Sequence, residues 1–362
     1  QEGRRAEIDP ARAHERRGDR GDVREAPGAE GPGRRVRLQA VLGAGLPKNI
    51  PTSTLNKVCG SGMKAVMLAH DQIVAGSADI MIAGGMESMT NAPHLLPKAR
   101  LGYRYGHVKM LDHMAFDGLE NAYDGKSMGI FADATAAKYG FTRKQQDAFA
   151  TESVKRAQRA VADGSFKAEI AGVTTKGKTV DVIIDTDETP GLCRPDKIPS
   201  LKPAFNKDGT VTAATSSSIS DGAAALILMR ESEATKRGIK PIARIVGHAS
   251  NAHEPEWFTT APVGAIDKLQ KKLGWTPKDV DLYEINEAFA VVAMAAMKDL
   301  NLPHEKVNVN GGACALGHPI GATGARLMVT LLHALKARNG KRGIASLCIG
   351  GGEATAIAVE MM

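Results

Sequence analysis

Residues 56–62 read Asn56-Lys57-Val58-Cys59-Gly60-Ser61-Gly62, and a helical pattern follows them. Apolar positions recur at roughly helical spacing from Met63 up to Gly76, which predicts a helix that begins after Ser61 and ends at that glycine. Cys59 then lies at the helix N-terminus, where unpaired backbone N–H groups and the helix dipole favour a thiolate. From Cys59 alone, a nucleophile and a small packed side chain are equally good interpretations, because free cysteine is among the most buried residue types.

The composition of the 362-residue chain favours a large aliphatic core. Hydrophobic residues make up 43% of the chain and aromatic residues 4%, and no apolar run reaches the roughly 18 residues that span a bilayer. The net charge of +7 comes from scattered basic residues without interleaved aromatics, so we expect neither a membrane protein nor a nucleic-acid surface. A small ligand that carries phosphate is compatible with this charge.

The four cysteines are Cys59, Cys193, Cys314 and Cys348, and their spacing contains no CxxC pair. We therefore expect neither a metal site nor a disulfide framework from them. Free thiols fit a reducing, intracellular compartment, and we expect a cytoplasmic protein.

The first 40 residues differ from the rest of the chain. They are rich in Arg, Gly, Ala, Glu and Pro and contain no lysine, a composition that predicts a disordered segment. Acidic residues run through the segment, which is atypical of a transit peptide.

From Leu42 onward, short aliphatic runs alternate with helical patterns. We predict buried strands at residues 79–83, 243–246 and 344–349, and helices at 143–163 and 323–337. This alternation predicts an α/β fold with βαβ-type units. The predicted divisions are an atypical segment over 1–40, a first half over 41–90 and 220–240, a loop domain over 91–219, and a second half over 241–362.

A weak internal repeat supports two similar halves. GSGMKA at residues 60–65 opens a helix that leads to IAGGME at 82–87, and GATGAR at 321–326 opens another that leads to CIGGGE at 348–353. Two such halves facing each other would bring the loops of both to one shared site.

The second half supplies partners for a nucleophilic cysteine. His318 lies between glycines before the second helix, and a histidine near a cysteine can take its proton, although a loop histidine is more often a capping or packing residue. Cys348 precedes three glycines, whose N–H groups can stabilise an oxyanion, or it packs in the core. Asn286 and Glu287 stand at a strand-to-helix junction, where an N-cap with a first-turn charge is the alternative role.

Four of these segments together resemble the thiolase family, namely NKVCGSG, NEAFA, GGACALGHPIGATGAR and CIGGGE. The resemblance runs from about Leu42 to Met362 and is greatest to the acetyl-CoA acetyltransferases. It implies two similar halves in a layered αβαβα arrangement, an inserted loop domain and a homotetramer. It also implies that the substrates are acetyl-CoA, acetoacetyl-CoA and coenzyme A, with no permanently bound cofactor.

The resemblance also implies a role for each catalytic position. Cys59 matches the nucleophile that accepts an acetyl group, and His318 matches the base that activates it. Cys348 matches the base that removes a methyl proton from the second acetyl-CoA. Asn286 matches the residue that holds a water in one oxyanion hole with His318, while the N–H groups of Cys59 and Gly350 match the other.

Family positions that line the pantetheine channel imply a substrate-binding set, although ordinary core packing also explains its apolar members. This set is Leu119, Met128, Ala204, Phe205, Ala213, Ser217, Ala288 and Phe289. Ser127 stands where many biosynthetic members have a histidine, which removes one polar contact to pantetheine. Trp257, Phe258 and Met128 suggest a site limited to short acyl groups.

The start of the chain departs from the family pattern, which becomes recognisable at about Ala40. Our hypothesis is that strands of the first sheet are missing or aberrant here, at a cost to folding. Two alternatives follow: a catalytically silent, thiolase-like binding protein, or a related condensing enzyme of the ketoacyl-synthase type. The second of these typically pairs its cysteine with two histidines, whereas this chain has Cys348.

Overall fold

A computed structural model of the chain describes residues 36–177 and 179–362. The segment predicted over residues 1–40 lies outside the described residues except for its last five, which begin the first helix, Val36–Gly43. The hypothesis of missing or aberrant N-terminal strands likewise falls on residues that precede this helix.

In chain order the α-helices are α1 (Val36–Gly43), α2 (Ser61–Val74), α3 (Met128–Tyr139), α4 (Arg143–Ala162), α5 (Glu188–Leu192), α6 (Glu231–Lys236), α7 (Ala261–Leu273), α8 (Ala290–Asp299), α9 (Ala313–Leu316) and α10 (Ile320–Ala337). The strands are β1 (Ile80–Ser88), β2 (His94–Leu95), β3 (Leu111–Asp112), β4 (Val173–Thr175), β5 (Val182–Ile184), β6 (Asp221–Met229), β7 (Ala243–Ala252), β8 (Leu282–Ile285), β9 (Arg342–Ile349) and β10 (Glu353–Met361). The 3₁₀ segments are Val58–Gly60, Ala99–Leu101, Pro195–Ser200, Ala213–Thr215, Pro255–Thr260, Pro277–Asp279 and His304–Lys306, and Ala115–Leu119 forms a π turn.

Two of the four sheets among the described residues position the site; the other two are the small pairs β2-β3 and β4-β5. The first pairs β1 with β6 antiparallel, from Ile80 opposite Met229 to Ser88 opposite Asp221. The second has the order β7-β10-β9-β8, in which β8 runs parallel to β9 and the other pairs are antiparallel. Because β1 and β6 are neighbours, the chain between them leaves the first sheet and returns to it. The limits of a loop domain at 91–219 stay a prediction.

Helices α2 and α10 lie between the two sheets. Helix α10 packs on β1 and β6 on one side and on β8 and β9 on the other, and α2 packs on β1, β6 and β10. Helix α7 covers the far face of the second sheet. On the first sheet, Ile82 and Ile227 face outward and are 53% and 68% exposed.

The two central helices touch through glycine. A Cβ added at Gly324 of α10 would lie 2.3 Å from the backbone nitrogen of Met63 in α2, and one at Gly62 would lie 2.8 Å from the backbone nitrogen of Ala325. A Cβ at Gly85 of β1 would lie 2.0 Å from the carbonyl oxygen of Gly321. Only glycine permits backbones to approach this closely.

The side chains between the sheets form an aliphatic core. From α2 and α10 they include Met63, Met67, Leu327, Met328 and Leu331, all at most 2% exposed. Burying each such side chain contributes about 1.5–3 kcal/mol to folding. Among the described residues, no helix combines the length and the apolar character needed to cross a bilayer.

Candidate active site

Cys59 occupies a short 3₁₀ turn that leads directly into α2. Val58, just before it, has a φ of +50°, a strained conformation for a β-branched residue. The Ser61 hydroxyl fixes the turn, because it donates to the carbonyl oxygen of Val58 at 2.7 Å and accepts from the backbone N–H of Lys57 at 2.9 Å. The strain at Val58 is thus held by local hydrogen bonds, and it sets the direction in which Cys59 enters the helix.

The Cys59 turn packs against the end of β9, where Cys348 is located. A Cβ added at Gly60 would lie 2.5 Å from Cδ1 of Ile349, so a larger residue there would require the Ile349 side chain to move. The Lys57 ammonium pairs with the carboxylate of Glu353 on the next strand. These contacts attach the first half of the chain to the second beside Cys348.

The two cysteines lie close enough to interact electrostatically. Cys348 is 1% exposed, and burial raises the pKa of its thiol well above the usual value, with a further contribution from the charge of Cys59. Once deprotonated, the sulfur of Cys348 is therefore a strong base.

His318 lies between α9 and α10 and is 6% exposed. Its Nδ1 is 2.6 Å from the hydroxyl oxygen of Thr323. That hydroxyl donates its own proton to the carbonyl oxygen of Pro319 at 2.9 Å, so the oxygen accepts from Nδ1–H. We assign the tautomer from this network: Nε2 carries no proton and is available as a base.

The electrostatic environment keeps His318 neutral. Burial, and then the positive charge of Arg326, lower the pKa of His318 to about 3. Its Nε2 is 3.5 Å from Nδ2 of Asn286, at the limit of a hydrogen bond. The two polar groups thus face each other in a buried space.

Asn286 follows β8 directly and is fully buried. Its backbone N–H donates to the carbonyl oxygen of Ser346 at 3.0 Å, which extends the β8–β9 pairing by one residue. The N-cap role considered for Asn286 and Glu287 is wrong, because α8 begins only at Ala290 with Phe289 in the N-cap position.

Glu287 instead holds the loop that carries His318. Its buried carboxylate accepts from the Ser153 hydroxyl at 2.7 Å, from Nδ2 of Asn308 at 2.8 Å and from the N–H of Cys314 at 3.1 Å. Burial raises the pKa of this carboxyl, and the hydrogen bonds oppose the rise. The sequence located Glu287 in its motif but not these three partners.

Two more supporting residues escaped sequence reasoning. Glu87, in β1, accepts from the backbone N–H of Gly321 at 2.9 Å, so a carboxylate of the first half caps the helix that follows His318. Thr323 fixes the tautomer of His318. Glu87 lies in the motif IAGGME and Thr323 in GATGAR. Their place in these repeated motifs was the only feature of the sequence that could have indicated a supporting role.

The predicted substrate-binding residues fall into two groups. One group shares a hydrophobic cluster with Cys348 and consists of Met128, Phe205, Ala288 and Phe289. Phe205 lies directly against Gly129, and its ring meets that of Phe289 edge-on at 5.8 Å. A Cβ at Gly350 would lie 3.7 Å from the Met128 sulfur, which places Gly350 beside this cluster.

The second group lies outside this cluster. Ser217 bonds to the Ala288 carbonyl oxygen through both its N–H and its hydroxyl, each at 3.1 Å. Ala204 and Ala213 are exposed, and Leu119 is half-buried at the end of a π turn. Ser127 is the N-cap of α3, where its hydroxyl accepts from the N–H of Gly129.

Arg326 of α10 faces the buried carboxyl group of Glu284. Nη1 of Arg326 is 3.8 Å from Oε2 of Glu284, which is 1% exposed. Burial raises the pKa of Glu284 to about 8, although the Arg326 charge opposes the rise.

Two family models match most of the chain. The model described as Thiolase, N-terminal domain, matches residues 26–232, and the one described as Thiolase, C-terminal domain, matches residues 239–361. The chain belongs to the thiolase family. The first match begins before Ala40, where the sequence pattern first became recognisable.

The chain is also similar to individual proteins of this family. The chain is 50% identical over 332 residues to an acetyl-CoA acetyltransferase of Chromobacterium violaceum, covering 91% of this chain and 85% of that protein. It also resembles the crystal structure of the Bacillus anthracis acetyl-CoA acetyltransferase, with a TM-score of 0.87, 40% identity, and coverage of 91% of this chain and 84% of that one.

A second solved structure is the Acat5 thiolase of Ascaris suum in complex with coenzyme A. Its TM-score is 0.86 at 41% identity, and the match covers 91% of this chain and 84% of that one. The family models and the two structures confirm the predicted thiolase fold.

The raised pKa of Glu284 predicts a pH-dependent stability. The folded protein binds the proton of the Glu284 carboxyl more tightly than the unfolded chain does. The contribution of this group to the free energy of unfolding is therefore full below about pH 4.5 and is lost as the pH rises towards 8. Between pH 6 and 9 the melting temperature of the unchanged chain should fall further than that of Glu284→Gln, by roughly 3 °C or more.

Thermal melts of both proteins across this pH range measure the difference. The matched control is Glu305→Gln, which changes an exposed carboxyl and should leave the pH dependence of the original chain intact. Parallel curves for the unchanged chain and Glu284→Gln would contradict the prediction.

Proposed function

We propose that this thiolase is an acetyl-CoA C-acetyltransferase. It condenses two molecules of acetyl-CoA to acetoacetyl-CoA and coenzyme A, and it catalyses the reverse thiolysis. Two observations support the proposal: Cys59 and Cys348 are close enough to interact electrostatically, and the helix that follows Cys59 touches the first turn of the helix that follows His318. The names of the similar proteins support the substrate class.

The first half-reaction transfers an acetyl group to Cys59. Its sulfur attacks the thioester carbonyl of acetyl-CoA while its proton passes to Nε2 of His318, which the Thr323 hydrogen bond keeps unprotonated. The carbon–sulfur bond to coenzyme A then breaks. The departing coenzyme A thiolate takes the proton of Cys348 and leaves that residue as a thiolate.

The second half-reaction forms the carbon–carbon bond. The Cys348 thiolate removes a methyl proton from a second acetyl-CoA, which suits the strongly basic sulfur that burial creates. The carbanion attacks the acetyl carbonyl on Cys59 to give acetoacetyl-CoA. Cys59 leaves as a thiolate and recovers its proton from His318, so each group returns to its starting state.

Negative charge develops on a thioester oxygen in both steps. We propose that Asn286 holds a water that acts with His318 in one oxyanion hole, and that the N–H groups of Cys59 and Gly350 form the other. In other enzymes the loss of one such donor lowers kcat by about 10²–10³-fold. Two contacts support these assignments. Asn286 lies 3.5 Å from His318, which supports the first oxyanion hole, and the Cys59 turn packs on Ile349, next to Gly350, which supports the second.

We propose that coenzyme A thioesters reach these groups along a channel lined by one hydrophobic cluster, which consists of Met128, Phe205, Ala288 and Phe289. The remaining residues that we assign to this channel are Leu119, Ala204, Ala213 and Ser217. The buried ring of Phe258 packs against Phe289 at 6.4 Å, which favours a short acyl group. A coenzyme A complex of a similar thiolase supports the ligand class.

The homotetrameric state and the cytoplasmic location remain proposals that rest on the family resemblance and on the free cysteines. A catalytically silent binding protein is not favoured, because each catalytic side chain is present and the similar proteins are named as acetyltransferases.

Incubation with labelled acetyl-CoA tests the proposal. The unchanged chain should acquire a covalent acetyl group on Cys59, which mass spectrometry of its peptides locates, and Cys59→Ala should acquire none there. Cys348→Ala should still become acetylated yet form no acetoacetyl-CoA. A folded sample that stays unlabelled would overturn the proposal.

The tautomer assignment predicts the effect of Thr323→Val. Loss of the hydroxyl frees Nδ1 and lets the proton move to Nε2, so the rate of Cys59 acetylation should fall by about tenfold or more. Thr330→Val is the matched control, because it removes another buried hydroxyl from the same helix. That hydroxyl donates to Glu169 and not to His318. Equal acetylation rates in the two variants would contradict the assignment.

A further inference from the structure

A cluster of two histidines and one aspartate joins the two halves far from the catalytic groups. His70 and Asp71 are consecutive in α2, and His248 lies in β7. Oδ1 of Asp71 is 2.8 Å from Nε2 of His248 and 3.5 Å from Nδ1 of His70. One ligand atom from each residue lies within 4.8 Å of the others.

The cluster is partly sheltered yet open to solvent on one side. The side chains of His70 and His248 are 26% and 16% exposed, while that of Asp71 is 49% exposed. Nδ1 of His70 is buried and makes no hydrogen bond among the described residues. The two imidazole rings meet edge-on at 5.4 Å, and the buried Nδ1 of His70 lies 3.5 Å from the aspartate.

We propose that His70, Asp71 and His248 bind a divalent transition-metal ion of the zinc class. Two imidazoles and one carboxylate are a typical ligand set for such an ion, and solvent can occupy a fourth position. Magnesium and calcium prefer ligand sets made of oxygen alone.

The two distances to Asp71 are close to those around a small tetrahedral ion. Bonds of 2.0–2.1 Å to nitrogen and 2.0–2.2 Å to oxygen place neighbouring ligand atoms about 3.4 Å apart. The separation of His70 Nδ1 from Asp71 Oδ1 is already close to this value, at 3.5 Å. The pair of Asp71 and His248 has to open by about half an ångström, and the proton on Nε2 of His248 leaves to solvent or moves to Nδ1 as the ion binds.

The surrounding charges permit a cation. Asp71 is the acidic member of the cluster, and its carboxylate oxygen Oδ1 faces both imidazoles. The Lys272 ammonium contacts the carbonyl oxygen of His248 at 3.4 Å and opposes cation binding modestly.

The position assigns the ion a structural role. His70 lies about 14 Å along α2 from Ser61, given a rise of about 1.5 Å per residue, so the ion does not touch the Cys59 centre. It would connect the helix that starts beside Cys59 to the edge strand of the second sheet. Binding to the folded state alone should therefore stabilise the enzyme.

Cobalt(II) added to the full chain tests the proposal, because its visible spectrum distinguishes nitrogen and oxygen ligands from the catalytic thiols. The spectrum should indicate a site without sulfur ligands, with one ion per chain. The ion should also raise the melting temperature by several degrees. His70→Gln, His248→Gln and the isosteric Asp71→Asn should each weaken binding at least tenfold and abolish the thermal shift.

The matched control is His107→Gln, which removes an exposed loop histidine and should bind as the unchanged chain does. Retained affinity in all three cluster variants would overturn the proposal. A spectrum that reports sulfur ligands only, or no binding below millimolar cobalt, would do so as well. Asp71→Asn preserves the shape of the site, so its loss of binding in a normally folded protein would separate ligation from damage to the fold.

Discussion

The close approach of helices α2 and α10 is the constraint on which the site depends. Gly62 and Gly324 let the two backbones touch, and Gly85 lets β1 touch the first turn of α10. Because contact is made near the N-termini of both helices, the turns that precede them, with Cys59 and His318, are brought to the same end of the central layer. A side chain at any of these glycines would separate the two turns.

The chemistry follows from burial at that point. Neutral His318 and the weakly acidic thiol of Cys348 both result from removal of water, and the Thr323 hydrogen bond decides which imidazole nitrogen is basic. Carboxylates further from the reacting atoms hold the backbone: Glu87 caps α10, and Glu287 fixes the loop before it. The site thus depends on hydrogen bonds that polar groups of one half make to the backbone of the other.

Much of this arrangement was predictable from the sequence, and the remainder depended on contacts between distant segments. Motif spacing located Cys59 and His318. The prediction ended the first strand at Ala83 because glycines follow it, whereas β1 continues to Ser88. Of those glycines, Gly84 approaches the backbone of β6 and Gly85 approaches that of α10. The pairing of Asp71 with His248 joins residues 177 positions apart, and no local pattern indicates it.

Chemical cross-linking of Cys59 to Cys348 tests the central claim most directly. A short bifunctional alkylating agent such as 1,3-dibromoacetone, applied to the native enzyme, should join the two sulfurs within one chain. Mass spectrometry should then find the peptide containing Cys59 linked to the one containing Cys348. Separate single alkylations, or links between different chains only, would contradict the account, because the sulfurs would not share one site.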